Sequence, residues 1–157
     1  MKHLFIFLLA LGIGSCIQEP KRVPPPFVLD REELLSDEEE ELLYSLCAKH
    51  EQGTGNEILI LTTPDLGDSD TALVYATRVG QVMGVGKTDK NNGVVILLSK
   101  GKKQVAIAEG LGLEKILSED ITSALVDTLM LPKASNGEYY EVMKGTAVAI
   151  TGFLEGK

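Results

Sequence analysis

Apolar and polar residues alternate in blocks along this chain, and the blocks predict strands that are separated by helices. Two apolar runs, at 57–63 and 93–99, are short, unbroken and bounded by turn residues. Such runs are typical of strands that are covered on both faces of a sheet. The alternation indicates an α/β fold with helices on both faces of a central sheet. Helical spacing of apolar residues predicts four helices, at 36–53, 69–83, 118–131 and 135–154.

A basic turn follows the second apolar run and predicts the direction of the next strand. The turn KGK, at 100–102, separates that run from a further apolar segment at 104–108. The connection is too short for a crossover between parallel strands, so the two strands should form an antiparallel hairpin. The sequence therefore predicts a mixed sheet, with Val95, Ile96 and Leu97 nearly fully buried in a central strand.

Capping and breaker residues define the predicted helices more closely. Ser36 and Glu39 form a capping box at the start of the first helix, and Pro132 is expected to end the third. The residues expected to face the core are Leu42, Leu43, Leu46 and Cys47 in the first helix, Ala72, Tyr75, Ala76, Val79 and Val82 in the second, Ile121, Leu125 and Leu129 in the third, and Tyr139, Val142, Met143, Ala147 and Ile150 in the fourth.

The N-terminus has the pattern of a bacterial lipoprotein signal. A short basic start precedes an apolar run at 4–13 that is too short to cross a bilayer. The small residues Gly14 and Ser15 then stand before Cys16, which would become the diacylated or triacylated first residue. An ordinary signal peptide or an uncleaved anchor is the alternative. The sequence thus predicts a signal peptide (1–15), a lipid-anchored, proline-containing tether (16–26) and one folded domain (27–155) on the periplasmic side of the envelope.

The composition bounds the classes of partner. The chain has 23 acidic and 15 basic residues and a formal net charge of −8, which disfavours nucleic acid because nucleic-acid binding needs a basic face. The segment GVGKT, at 84–88, looks like the end of a phosphate-binding loop, but Gln81 stands where that loop requires its first glycine. We therefore expect a membrane contact through the lipid on Cys16 and an envelope protein partner, without nucleic acid or nucleotide.

Cysteine chemistry offers one further alternative. With Cys16 committed to lipid, Cys47 has no disulfide partner in the chain. His50 lies within helical reach and could serve Cys47 as a base. The apolar stripe instead predicts that Cys47 is a small buried hydrophobe.

Oxygen-bearing side chains cluster in the loops that flank the predicted hairpin. Asp89, Asn91 and Asn92 precede its first strand, and Glu109 and Glu114 follow its second. Oxygen ligands on glycine-containing loops are what a hard cation such as calcium binds. The spacing departs from that of an EF-hand loop, and a plain turn leading into the strand remains the alternative for the first loop.

Several short motifs occur in a characteristic order. They are VLD at 28–30, LLS at 34–36, EILI at 57–60, VMGVG at 82–86, NGVVILL at 92–98, GLGLE at 110–114 and GEYY at 137–140. Their order and spacing resemble those of the TPM domain family over residues 27–153. This chain departs from the family at Glu109, where a threonine or a similar residue is common, and the departure adds a carboxylate beside the GLGLE motif.

The resemblance implies a fold, a cation site and two kinds of activity. The implied fold is a Rossmann-like three-layer α/β/α sandwich, which agrees with the block pattern. The implied site binds a divalent cation, usually calcium. Some members have weak acid phosphatase activity and others act in assembly. Carried over to this chain, the predicted ligands are Asp30, Asp89, Asn91, Glu114 and Asp120, although helix or turn capping is the alternative for Asp30 and Asp120.

Three functions follow from these observations. The first is an interaction, assembly or maintenance module with a bound cation, anchored to the envelope by lipid. The second is a metal-dependent phosphoesterase, which would use Arg78, Lys87 or Lys90 to stabilise charge but has no histidine nearby in the sequence to act as a base. The third, an accessory subunit of a respiratory or transport complex, overlaps the first.

Overall fold

The protein folds around a four-stranded sheet. The computed structural model describes residues 26–156, so the predicted signal peptide, Cys16 and nearly all of the tether lie outside the described residues. The strands lie side by side in chain order and are β1 (Val28–Asp30), β2 (Glu57–Thr62), β3 (Gly93–Ser99) and β4 (Gln104–Glu109).

Strand direction gives the sheet two distinct ends. Strands β1, β2 and β3 run parallel, and β4 runs antiparallel to β3, which confirms the predicted hairpin and the mixed sheet. We call the end where β3 begins and β4 ends the amino end of the sheet. The carboxyl end is the opposite one, where β1, β2 and β3 end and β4 begins. Loops that follow β4 therefore meet loops that precede β3.

Helices cover both faces of the sheet, as the block pattern predicted. Helix α2 packs on one face, against Leu59, Leu61, Val95 and Leu97. The remaining helices pack on the other face, against the alternate strand residues Ile58, Ile60 and Ile96. The three-layer α/β arrangement is therefore confirmed. The helices are α1 (Asp37–Thr54), α2 (Ala72–Met83), α3 (Glu119–Leu125), α4 (Leu131–Ser135) and α5 (Tyr139–Glu155), with a π-helical segment (Val126–Met130) between α3 and α4.

The central strands are buried along their whole length. Every residue of β2 and of β3 is buried. The predicted burial of Val95, Ile96 and Leu97 is confirmed, at 2%, 0% and 0% exposure. Continuous apolar runs mark these strands because both of their faces meet helices.

Helix α1 begins and ends where the sequence predicted, but fewer of its residues face the core than the sequence predicted. The Ser36 hydroxyl accepts a hydrogen bond from the Glu39 amide, and the Glu39 carboxylate accepts one from the Ser36 amide, so the capping box is confirmed. Cys47 is fully buried, as predicted, and burial raises the pKa of its thiol to about 12. The expectation that Leu42 faces the core is wrong. It is 53% exposed, whereas Leu43, which was also predicted to face the core, is buried.

Helix α2 is shorter than predicted, and one residue of its inner face is misassigned. It begins at Ala72, after the N-cap Thr71, instead of at residue 69. Val82 was expected to face the core but is 81% exposed. The next residue, Met83, packs against the core instead, because it lies about 20° from Ala72 around the helix and Val82 lies about 80° away.

The third predicted helix does not end at Pro132. It passes through the π-helical segment and continues as α4, with Pro132 in the first turn of α4. Within the segment the Leu131 amide bonds the Val126 carbonyl, five residues back. The wider turn tolerates a residue that lacks an amide hydrogen and would clash in a regular α-helix. The helix therefore runs past the breaker residue and buries Met130.

Helix α5 closes the second face of the sheet. Val142, Met143, Ala147 and Ile150 are all fully buried, which confirms the predicted stripe. None of the helices between residues 26 and 156 is long and apolar enough to cross a membrane.

Candidate functional site

Three glycine-containing loops meet at the amino end of the sheet. One follows α2 (84–88), one leads into β3 (89–92), and one follows β4 (110–114). Backbone hydrogen bonds join the second and third loops, with the Gly110 amide 2.8 Å from the Gly93 carbonyl oxygen and the Gly112 amide 3.0 Å from that of Asn91. Because these hydrogen bonds join main-chain groups, movement of side chains does not break them.

Glycine is required where these loops cross. A Cβ atom on Gly93 would lie 2.2 Å from the Val85 carbonyl oxygen, and one on Gly112 would lie 1.9 Å from that of Lys90. Gly86 would meet the Gly93 amide nitrogen at 2.4 Å and also has a φ of +93°. Contacts below 3.0 Å do not occur for real Cβ atoms, so any side chain here would push the loops apart.

A network of buried polar side chains holds the loop after α2 and the loop before β3 in place. The Glu57 side chain, 2% exposed, accepts hydrogen bonds from the Gly86 amide (2.8 Å) and the Lys87 ammonium (2.7 Å). Lys87 also donates to Glu51 at 2.7 Å. Hydrogen bonds to Glu51 and Glu57 raise the pKa of Lys87, so this lysine stays charged and is held within the structure. Asn92 adds hydrogen bonds to the Lys87 amide and to the Gly55 carbonyl.

A groove of about 520 Å³ opens between α2 and the loop after β4. Its α2 wall includes Ala76, Thr77 and Gln81, and its opposite wall includes Glu109 and Leu111. Leu111 is 73% exposed, so this wall presents a large apolar side chain to solvent. The volume falls within the range of pockets that bind small molecules or single side chains.

Glu109 supplies the groove with a carboxyl group of altered acidity. Burial raises the pKa of this carboxyl, and the negative charges of Glu114 and Glu119 raise it further. The wall of the groove beside Leu111 therefore carries a carboxyl group that lies close to two other acidic residues.

The predicted ligand Asp30 does not join the others. It ends β1 at the carboxyl end of the sheet, in register with Thr62, which pairs in turn with Leu98. The loop before Gly93 is therefore about 17 Å away along β3. The expectation that Asp30 converges with the other ligands is wrong, because β1 and β3 are parallel and the residues follow one strand and precede the other. Its carboxylate instead accepts hydrogen bonds from the Leu35 amide (2.7 Å) and the Thr62 hydroxyl, which is the capping alternative.

The other predicted ligands share an end of the sheet without forming a coordination sphere. Asp89 and Asn91 lie in a tight turn, where Asn91 takes a left-handed φ of +47°. Glu114 lies in the loop after β4, and Asp120 lies in the first turn of α3, where its charge complements the helix start. No three His, Cys, Asp or Glu side chains within residues 26–156 converge closely enough to hold a metal ion. The predicted set therefore does not fit one calcium site, which would need 6–8 oxygens.

Two residues that organise this site were not singled out in the sequence. Glu57 stands at the start of a strand, where a charged residue is usually exposed, and nothing local indicates that Lys87 covers it. Asn92 was grouped with the oxygen-bearing loop residues and its structural role was not predicted, yet it is 4% exposed and bonds across to the end of α1. The sequence did contain one indication of this network. Glu57 and Asn92 are polar residues at the start of the two apolar runs, and parallel pairing of those strands brings the two starts together.

Comparison with known proteins gives one family. A family model described as the TPM domain matches residues 28–152. A search of curated proteins finds no match.

Solved structures with the same fold come from three bacteria. The N-terminal domain of a protein from P. gingivalis is 26% identical, with a TM-score of 0.75, and the match covers 84% of this chain and 83% of that one. The N-terminal domain of a protein from Corynebacterium glutamicum is 12% identical, with a TM-score of 0.65 and coverage of 87% and 84%. The BA42 protein from Bizionia argentinensis is 20% identical, with a TM-score of 0.65 and coverage of 79% and 83%.

Proposed function

Because this chain belongs to the TPM domain family, with residues 28–152 forming the domain, we propose that it is an interaction module of the bacterial envelope. In this proposal a lipid on Cys16 anchors the chain to the membrane, and the domain binds a segment of a partner protein in the groove beside α2. The membrane anchor rests on the small residues before Cys16, and the binding role rests on the groove.

The observation that carries the binding role is the rigid construction of the groove. Its end is built from loops whose backbones cross at glycine residues, and the loop after α2 that lines it is held by the ion pair between Glu57 and Lys87. A preformed site binds without the entropy cost of ordering loops. Leu111 presents an apolar side chain to solvent at one wall, as an interface residue does.

The charges in the groove indicate the chemistry of the segment. Glu109 lines the wall beside Leu111, and Glu114 and Glu119 act on the same carboxyl. Lys87 is already engaged by two glutamates. A segment with a lysine or arginine next to an apolar residue would complement this wall, because its charge would be balanced by carboxylates that otherwise repel one another.

The alternative, a weak acid phosphatase, has one observation in its favour. Burial raises the pKa of the Glu109 carboxyl, and a raised pKa is what a carboxyl that acts as a general acid needs. The residues that would supply a nucleophile or base are less well placed. His50 is 3% exposed and bonds Glu155 and Thr54, and Cys47 is buried in the core. Binding therefore accounts for the groove more fully than phosphate-ester chemistry does.

A crosslinking experiment in cells tests the binding role. A photo-crosslinking amino acid is placed at Leu111, and at Val148, which is 51% exposed on α5, as the matched control. We expect one discrete adduct from position 111, none from position 148, and loss of the adduct when Glu109→Lys is added. Equal adducts at both positions, or an adduct unaffected by Glu109→Lys, would contradict the proposal. Hydrolysis of p-nitrophenyl phosphate by the purified chain that Glu109→Gln abolishes would favour the phosphatase instead.

The anchor is tested separately. Cys16→Ser should abolish labelling of the chain by a fatty-acid analogue and release it from the membrane fraction. Unchanged labelling in that variant would refute the lipid anchor and leave the groove proposal untouched.

A further inference from the structure

A second cavity lies at the carboxyl end of the sheet, away from the groove. It has a volume of about 480 Å³ and opens between the β3–β4 turn and the helices α4 and α5. Its floor is apolar and includes Leu98, Val105 and Ala134, and its mouth carries Lys100 and Lys103. No Asp or Glu among residues 26–156 lines it. In a chain with a net charge of −8, this is a local concentration of positive charge.

Neither lysine at the mouth forms an ion pair with a carboxylate in the part of the chain that the structure describes. Of the other lysines nearby, Lys102 pairs with Asp65 at 3.2 Å and Lys133 pairs with Glu138 at 3.3 Å. Within residues 26–156, no carboxylate oxygen lies within 4.0 Å of the ammonium of Lys100 or Lys103. The cavity therefore has positive charge available for a ligand.

The backbone holds both lysines at the opening. Glu32 lies in the loop after β1, and its carboxylate accepts hydrogen bonds from the amides of Lys100 and Gly101, each at 2.9 Å. These bonds fix one side of the turn. Lys103 takes a left-handed φ of +56°, and its amide bonds the Lys100 carbonyl at 3.2 Å. The Lys100 ammonium lies 5.4 Å from the centre of the Tyr139 ring, within the range of a cation–π contact.

We propose that this cavity, with Lys100 and Lys103 at its mouth and an apolar floor beneath them, binds a small organic oxyanion. The ligand carries a carboxylate or phosphate head on an apolar body of roughly the size of an aromatic ring, since pockets of a few hundred cubic ångströms accept such bodies. The ammonium groups bind the head as point charges, and the Tyr139 ring and the floor contact the body. The same head group occurs on soluble metabolites and on anionic lipids, and the experiment separates these sources.

The test follows the amide NMR signals of the 15N-labelled full chain during titration with phenyl phosphate. We expect saturable shifts confined to residues around the cavity, such as Ser99, Lys100 and Ser135. The variant K100Q/K103Q should weaken binding at least about tenfold, because each lysine supplies a charge-assisted contact. The control K49Q/K115Q changes net charge equally at two exposed lysines outside the cavity and should bind as the parent does. The melting temperatures of the variants confirm that each is folded.

Three further outcomes decide the proposal. Equal weakening in both double variants, or shifts scattered over the surface, would overturn it, because long-range charge alone would then explain binding. Inorganic phosphate binding as tightly as phenyl phosphate would also overturn it, because the apolar floor would then contribute nothing. Binding to phosphatidylglycerol vesicles that K100Q/K103Q abolishes would support the site with a lipid head group as its source, and binding of phenyl phosphate alone would support a soluble one.

Discussion

Replacement of Gly112 by alanine tests whether the crossing of the loops stabilises the domain. The new Cβ atom would lie 1.9 Å from the Lys90 carbonyl oxygen, and real Cβ contacts essentially never fall below 3.0 Å. The loop after β4 must therefore retreat by about 1 Å or more, which breaks the 3.0 Å hydrogen bond from the Gly112 amide to Asn91. Overpacking of this kind costs about 1–3 kcal/mol, and the lost hydrogen bond adds about 0.5–1.5 kcal/mol.

We therefore expect Gly112→Ala to lower the free energy of unfolding by about 2–4 kcal/mol and the melting temperature by about 10 °C. Urea denaturation followed by circular dichroism measures the first quantity. Gly152→Ala is the matched control, because Gly152 lies in α5 with nothing within 4 Å of its Cβ position. That change should raise stability by about 0.4–1 kcal/mol, since alanine narrows the unfolded ensemble. A loss below about 1 kcal/mol for Gly112→Ala, or the same sign for both variants, would refute the argument.

Three other predictions follow from burial, capping and charge. Leu97→Ala removes a fully buried side chain and should cost about 2–5 kcal/mol in chemical denaturation, whereas a loss under about 1 kcal/mol would place β3 at an exposed edge. Asp30→Ala should lower the melting temperature equally in calcium and in chelator, because its carboxylate bonds the Leu35 amide; a calcium-dependent difference would restore Asp30 as a ligand. Burial raises the pKa of Glu109 above 4.5, so its charge destabilises the fold above that pH. Glu109→Gln should therefore increase stability more at pH 7 than at pH 4, and an equal effect at both pH values would contradict this.

Local patterns sufficed for the parts of the fold that are fixed locally. The buried strands, the capping box at Ser36 and the hairpin turn each depend on residues close together in the chain, and all three were predicted. The layer arrangement followed from the alternation of strands and helices. The continuation of the helix through Pro132 was not predicted, because it depends on a π-helical turn that no single residue indicates. That turn accommodates a residue without an amide hydrogen.

The candidate site depended on information that periodicity does not carry. Asp30 and Asp89 both adjoin strands, so their separation is decided by strand direction and by which end of its strand each residue occupies. Because β1 and β3 are parallel, Asp30 after β1 and Asp89 before β3 lie at opposite ends of the sheet. The family resemblance identified residues that match a motif. It did not show where the fold of this chain places them. Burial of Glu57 under Lys87 was equally invisible, because that contact joins residues 30 positions apart.

The two ends of the sheet therefore offer opposite chemistry on one rigid frame. In the two proposals, the carboxyl groups beside the groove at the amino end bind a cationic segment, and the lysines of the cavity at the carboxyl end bind an anion. Strand β4 contributes to both, with Glu109 at its last position and Gln104 at its first. Ala106 and Ile107 between them are buried, at 4% and 3% exposure. If both proposals hold, charge decides which end of β4 a ligand engages, with a cationic segment at Glu109 and an anion near Gln104.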